Sequence, residues 1–244
     1  MRKLLALAYG LMVYVVFVFV FLYLMGFLAN RYTPSTIDSG LQIPLAEAWP
    51  RDVGLLLLFG VQHSVMARGW FKRAARVLAG QPVERSTYVL MSCAALGTLF
   101  RYWEPMPNLV WEVRHAVGAG LVNAMYLAGW GLVALATVQI GHTDLTGLRQ
   151  VWMHARGKQY APPQFMTPGL YRVVRHPMML GLLVSLWSTP AMSWGHLLFS
   201  GVLTGYILVA LRWEEGDLDR AYPGEYRRYR ERVGRLLPNL MNKP

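Results

Sequence analysis

Hydrophobic positions in this chain come in long uninterrupted runs. From Leu4 to Ala29 no charged residue occurs at all. A stretch of about 18 or more apolar residues is long enough to cross the hydrocarbon core of a bilayer. Inside lipid each segment must satisfy its own backbone hydrogen bonds, which selects helices. Further apolar segments follow at Val53–Ala67, Thr87–Tyr102, Ala116–Ile140, Met178–Ser193 and Gly195–Leu211. The pattern predicts an all-α integral membrane protein of about six transmembrane helices. The last two segments meet at Trp194 and Gly195, with Pro190 just before them, which predicts a tight helical hairpin. The first run is too long for a signal peptide and places Phe27 and Ala29 where a small-x-small cleavage site is needed, so it is expected to stay as the first span.

The polar connections set the orientation. Of the 24 Lys and Arg residues, twenty lie in the N-terminus, the loop at Arg68–Arg85, the segment Gly141–Pro177 and the tail from Arg212. The alternate loops, Arg31–Arg51 and Arg101–Arg114, hold the other four. The positive-inside rule then puts both termini and the basic loops in the cytoplasm, consistent with six crossings of a bacterial inner membrane. Trp49, Trp70, Trp103, Trp111, Trp194 and Trp213 fall near the predicted span ends, as interfacial anchors do. Within Leu145–Arg156, Leu145, Leu148, Val151, Trp152 and Ala155 recur at helical spacing with Arg149, Gln150 and Arg156 between them. That predicts a short amphipathic helix in the cytoplasmic interface. Ala161-Pro162-Pro163 ends it. With no internal repeat, residues 1–244 read as a single membrane domain whose cytoplasmic segments are 141–177 and 212–244.

Composition agrees: 55% of the residues are hydrophobic and only 15% charged, below the roughly 25% of a soluble domain. The formal charge of +11 raises the question of nucleic acid, but the basic residues flank apolar runs and form no single stripe. Anionic membrane lipid is the expected partner, and no nucleic acid is expected. Cys93 is the only cysteine, which rules out an intrachain disulfide and a Cys-based metal site. No convincing metal set is present, so no metal is expected.

Most of the unusual polar residues follow residue 139. Thr167-Pro168-Gly169-Leu170-Tyr171-Arg172-Val173-Val174-Arg175-His176-Pro177 leads into the fifth apolar segment. Proline is tolerated at a helix start, and the free amides of that first turn with Arg175 and His176 suit an anion. Basic residues before a span also serve orientation, so this motif alone is divided between the two readings. The sixth segment ends in Arg212-Trp213-Glu214-Glu215-Gly216-Asp217-Leu218-Asp219. Orientation calls for no acids here, and Glu215 and Asp219 repel at i, i+4. Paired carboxylates accept hydrogen bonds from a diol or amine, or pair with Arg. In the tail, Tyr226, Tyr229 and Val233 share one face of a helix begun near Pro223, which is expected to dock back and close a pocket.

Arg175-His176-Pro177, then Gly181, Glu214-Glu215 and the series Gly224, Tyr226, Tyr229, Val233, Pro238 resemble the isoprenylcysteine carboxyl methyltransferase-like superfamily of integral membrane enzymes. Met179 stands where that family often has Tyr. Gly141-His142-Thr143-Asp144-Leu145-Thr146-Gly147-Leu148-Arg149-Gln150-Val151-Trp152 and Gly195-His196-Leu197-Leu198-Phe199 resemble its methanethiol S-methyltransferase branch. The resemblance implies S-adenosylmethionine as cofactor and a small volatile thiol as substrate. It implies a cofactor site built from His176, Pro177, Gly181, Glu214 and Glu215, with Tyr171, Arg175 and Tyr229 beside them.

Methyl transfer from a sulfonium is an in-line displacement that rewards positioning of donor and acceptor, and a thiol attacks as thiolate. His142, followed by Asp144, is the first candidate base, and Arg149 would favour thiolate by charge. A helix-end cap is the competing role for His142. Gln139 and Gln150 are candidates to line the acceptor's route. Other acceptors, such as a prenyl-cysteine carboxylate or a phospholipid amine, stay open. So do a nicotinamide-dependent membrane reductase, which would need more cations around its pocket, and a non-enzymatic membrane assembly component.

Overall fold

In chain order the helices are α1 (Arg2–Leu28), α2 (Leu45–Ala67), α3 (Gly69–Ala79), α4 (Glu84–Tyr102), α5 (Ala116–Ile140), α6 (His142–Thr146), α7 (Leu148–Ala155), α8 (Pro177–Trp187), α9 (Trp194–Ala221) and α10 (Glu225–Arg232). Strands β1 (Leu109–Glu112) and β2 (Ala191–Ser193) pair as a two-stranded sheet, and a 3-10 turn covers Gly169–Arg172. This computed structural model describes residues 1–79 and 82–239, without the side chains of residues 78 and 79. Residues 240–244 of the expected cytoplasmic tail lie outside the described residues.

The protein is an all-α membrane protein. Among the described residues three helices, α1, α5 and α9, are long and apolar enough to cross a bilayer. α8 has 11 residues. At 1.5 Å per residue it rises about 16 Å, roughly half the hydrocarbon thickness. The apolar segment from Met178 does not stay helical to Ser193: α8 ends at Trp187 and β2 follows. α9, by contrast, does not stop where the apolar residues stop. It runs on through Arg212–Asp219 to Ala221, because no proline interrupts it before Pro223 and Glu, Leu and Arg are good helix formers.

The residues group into two compact units. The first comprises Met1–Leu109, Thr143–Pro162 and Ser193–Phe199. Val13, Val89 and Cys93 form a buried cluster between α1 and α4, flanked by Tyr9 and Phe17. The Tyr9 and Thr87 hydroxyls meet at 3.0 Å across that seam. Further along, the Phe27 ring packs on Phe100, Trp103 and Phe199 at centroid distances of 5.1, 6.1 and 6.2 Å. The interfacial helix expected over Leu145–Arg156 is broken into α6 and α7. Gly147 stands at the break with φ +86°, and a Cβ there would meet the Ser86 amide nitrogen at 2.7 Å. α7 also does more than lie on a surface: its Val151 is fully buried against Gly10 of α1. The loop expected at Arg68–Arg85 contains α3, where Trp70 and Phe71 are followed by Lys72, Arg73 and Arg76. Its run is too short and too basic to register as a span.

The second unit comprises Val110–His142, Pro163–Met192 and Ser200–Pro244. α5 and α8 touch backbone to backbone: a Cβ on Gly181 would lie 2.6 Å from the Gly129 carbonyl oxygen. Small residues permit such close approach where no hydrophobic driving force acts between helices. Hydroxyls in this apolar setting are satisfied locally. Ser185 donates to the Tyr126 carbonyl at 3.2 Å and Ser200 to the Leu186 carbonyl at 2.7 Å. α10 docks by its aromatic face, with Tyr226 buried.

Candidate functional site

The tail fixes the Arg-His-Pro segment by backbone pairing. The Arg175 amide donates to the Gly234 carbonyl at 2.8 Å and the His176 amide to the Arg235 carbonyl at 3.1 Å. Pro177 then opens α8 with His176 at its N-cap, where a missing N–H costs nothing. The extra turns of α9 bring Glu215 to these residues. Arg175 Nη2 lies 2.8 Å from Glu215 Oε1, with the two side chains 8% and 5% exposed. Arg235 Nη2 reaches Glu215 Oε2 at 2.5 Å, and His176 Nε2 lies 3.2 Å from Oε1. Arg175 also donates to the carbonyls of Arg230, at 3.1 Å, and Val233. A buried charge is tolerated when paired and fully hydrogen-bonded, and Glu215 has both arginines. Burial pushes the His176 imidazole below its ordinary 6.5, although the bond to Glu215 opposes this.

In front of this network is a cavity of about 240 Å³. Aromatic rings of Phe165, Tyr171, Tyr222, Tyr226 and Tyr229 line it, with His176, Arg175 and Glu214. Thioethers of Met166, Met178 and Met179 fill out the wall. The three buried tyrosine hydroxyls differ. Tyr171 donates to the Ala136 carbonyl at 3.5 Å and Tyr229 to the Tyr171 carbonyl at 2.5 Å. The Tyr226 residue is 1% exposed, and its hydroxyl has no hydrogen-bond partner among the described residues. Burial raises the Tyr229 phenol to about 12 and lifts Tyr226 further, so both remain neutral O–H groups. The turn before the motif is held by Gln139, whose Oε1 accepts the Leu170 amide at 2.9 Å.

Tyr171, Arg175, His176, Glu214 and Tyr229 therefore border one cavity. Glu215 lies behind it, bonded to Arg175 and His176. Pro177 starts α8, and Gly181 faces α5. His142 follows α5, its Nδ1 3.3 Å from Thr137 Oγ1, and is not among the cavity's lining residues. Asp144 and Arg149 belong to the first unit, where they form a 2.9 Å ion pair. There Tyr160 donates to Asp144 Oδ1 at 2.9 Å, and Gln150 donates to the Asp144 carbonyl at 3.3 Å. Sequence reasoning did not select Phe165, Tyr222 or the thioethers. Tyr222, Tyr226 and Tyr229 are spaced i, i+4, i+7, a one-face aromatic stripe that was open to view. Phe165 follows a proline pair in a loop and carries no periodic signal.

Over 236 residues, 97% of this chain and 83% of the relative, the sequence is 44% identical to methanethiol S-methyltransferase 1 of Bradyrhizobium diazoefficiens. It is likewise 44% identical to methanethiol S-methyltransferase of Mycobacterium tuberculosis over 238 residues, 98% of each chain. The chain belongs to the methanethiol S-methyltransferase family. Nurim of Sus scrofa is more distant, at 34% identity over 194 residues, 74% of this chain and 70% of Nurim. No family model and no solved structure matches. Membership in a methyltransferase family implies a methyl donor.

Proposed function

We infer that the chain is an S-adenosylmethionine-dependent S-methyltransferase that converts methanethiol to dimethyl sulfide. The observation that carries this is 44% identity, over 97% and 98% of the chain, to two enzymes named for that substrate. In this reading the donor occupies the cavity beside His176 and Glu214, with Tyr171, Arg175 and Tyr229 on its walls. Pro177, Gly181 and Glu215 act from behind, setting the positions of His176 and α8.

When bound, S-adenosylmethionine supplies an electrophilic methyl group on a sulfonium. The methanethiol sulfur forms the new carbon–sulfur bond, the old one breaks with its electron pair left on the donor sulfur, and the thiol proton passes to a base. His142 is the proposed base. Asp144 and Arg149, also proposed for the reaction, are already bonded to each other, so they would serve as an ion pair and not as a free positive charge. The Glu215 bond fixes the His176 ring, and burial keeps that ring neutral, so it presents no cation to a sulfonium.

The proposed setting is a bacterial inner membrane with about six crossings and both termini cytoplasmic, where the donor is made. Twenty of the 24 basic residues falling on one side of that topology support it.

Purified protein in detergent, given S-adenosylmethionine and methanethiol, is expected to release dimethyl sulfide, followed by gas chromatography. Donor binding without dimethyl sulfide would redirect the assay to a prenylated cysteine and to phosphatidylethanolamine. Tight binding of a reduced nicotinamide dinucleotide, with none of the sulfonium donor, would replace the methyltransferase reading by the reductase one.

A further inference from the structure

The cavity of the second unit has an unusual balance of charge for a site that meets a phosphate-free ligand. Its one Lys or Arg among the described lining residues is Arg175, whose guanidinium is already engaged by Glu215 and by the carbonyls of Arg230 and Val233. The Glu214 side chain is 54% exposed and lies 3.7 Å from the His176 ring, with no guanidinium of its own. Around it the aromatic rings pack as a group. Phe165 lies 5.3 Å from Tyr222, 5.9 Å from Tyr226 and 5.6 Å from Tyr229 by ring centroids, and the last two contacts are edge-to-face. Tyr226 and Tyr229 are 5.9 Å apart. Aromatic faces carry negative potential and attract a cation placed over them, more strongly when water is excluded. A carboxylate, ring faces and thioethers, with the one guanidinium occupied, suit a ligand group that is positive and soft.

We propose that Phe165, Tyr222 and Tyr229, with Glu214, form a cation cage that reads the positive charge of the sulfonium donor and favours it over the neutral thioether product. The proposal rests on the donor being S-adenosylmethionine. Methyl transfer moves the methyl carbon to the acceptor sulfur and leaves the donor sulfur uncharged, so the reaction itself removes the feature the cage holds. The cage therefore loads the substrate and lets go of the product.

Calorimetric titration of the detergent-solubilised protein with three ligands tests this: S-adenosylmethionine, S-adenosylhomocysteine, and the analogue in which a protonated amine on carbon replaces the S-methyl sulfonium. The two cations are expected to bind about tenfold more tightly than the neutral thioether, in keeping with one desolvated cation–π site. Phe165→Leu and Tyr222→Leu are expected to weaken binding of the two cations more than that of the thioether and so reduce the preference, and Tyr226→Phe, which keeps its ring, to preserve most of it. A thioether that binds as tightly as the donor in the unaltered protein overturns the cage, as does a preference undiminished in both leucine variants. In either case bound donor leaves the methyltransferase reading standing. Binding of neither sulfur ligand removes that reading and the cage with it.

Discussion

Asp144 in the first unit and Glu215 in the second are each met by arginine and by a ring, yet their surroundings differ. The Asp144 side chain is 13% exposed and pairs with one arginine, Arg149, whose side chain is 42% exposed and open to water. Glu215 is 5% exposed and is met by Arg175, Arg235 and His176 together. The tyrosine beside Asp144, Tyr160, donates to the carboxylate itself. Tyr226, next to the Glu215 network, has a buried hydroxyl donating to nothing among the described residues. An exposed ion pair is screened by water and gains little, whereas a buried one is costly to assemble and very costly to break. The first cluster reads as local bracing where α6 gives way to α7. The second brings the chain segments around a cavity into register.

The strongest test of that contrast is Glu215→Gln. It leaves two buried or half-buried guanidiniums with one neutral acceptor, and should cost about 3–5 kcal/mol of unfolding free energy by denaturant titration, together with donor binding. Gly181→Ala probes the same unit away from its charges. Added volume against the Gly129 carbonyl is expected to cost about 1–3 kcal/mol by the same measurement.

Acid provides a third probe. Burial holds the His176 pKa below 6.5, against the pull of Glu215 and the weaker pair with Glu214, and with Arg175 and Arg235 nearby. The unfolded chain therefore binds a proton that the folded chain resists, so stability should be level above pH 6.5 and fall as pH drops below it. In a His176→Asn variant that acid-side slope should shrink; an unchanged slope would move its origin elsewhere. The smallest effect expected is that of Asp144→Asn, at most about 1 kcal/mol. A loss as large as that of Glu215→Gln would erase the distinction between the two clusters.

Much of this was legible in the residues. Leu4–Ala29 and Ala116–Ile140 carry no charged residue, and the helices found there, Arg2–Leu28 and Ala116–Ile140, follow them closely. Tyr226 and Tyr229 were expected on one docking face of a tail helix, and they pack there because their spacing leaves no other shared side. What escaped depended on backbone geometry and on partners distant in sequence. Gly147 looked like one residue of an amphipathic helix, but its positive φ divides it. The apolar residues of the sixth segment stop at Leu211 and α9 runs on to Ala221, because polarity does not stop a helix whose residues favour one. Nothing in Glu214-Glu215 alone says which of the two meets the arginines. One residue is a third of a helical turn's difference in direction, and only the packed fold shows that Glu215 points inward to Arg175 while Glu214 stays at the cavity.

The proposed transfer of a methyl group from a sulfonium to methanethiol at the cavity beside His176 and Glu214 is tested most directly by supplying S-adenosylmethionine with a fully deuterated S-methyl group and analysing the volatile product by mass spectrometry. Dimethyl sulfide carrying one intact trideuteromethyl group, and lost in folded Glu214→Ala and His176→Ala variants, is the expected result. Absence of labelled dimethyl sulfide from the unaltered protein, or undiminished labelled product from both variants, would contradict it.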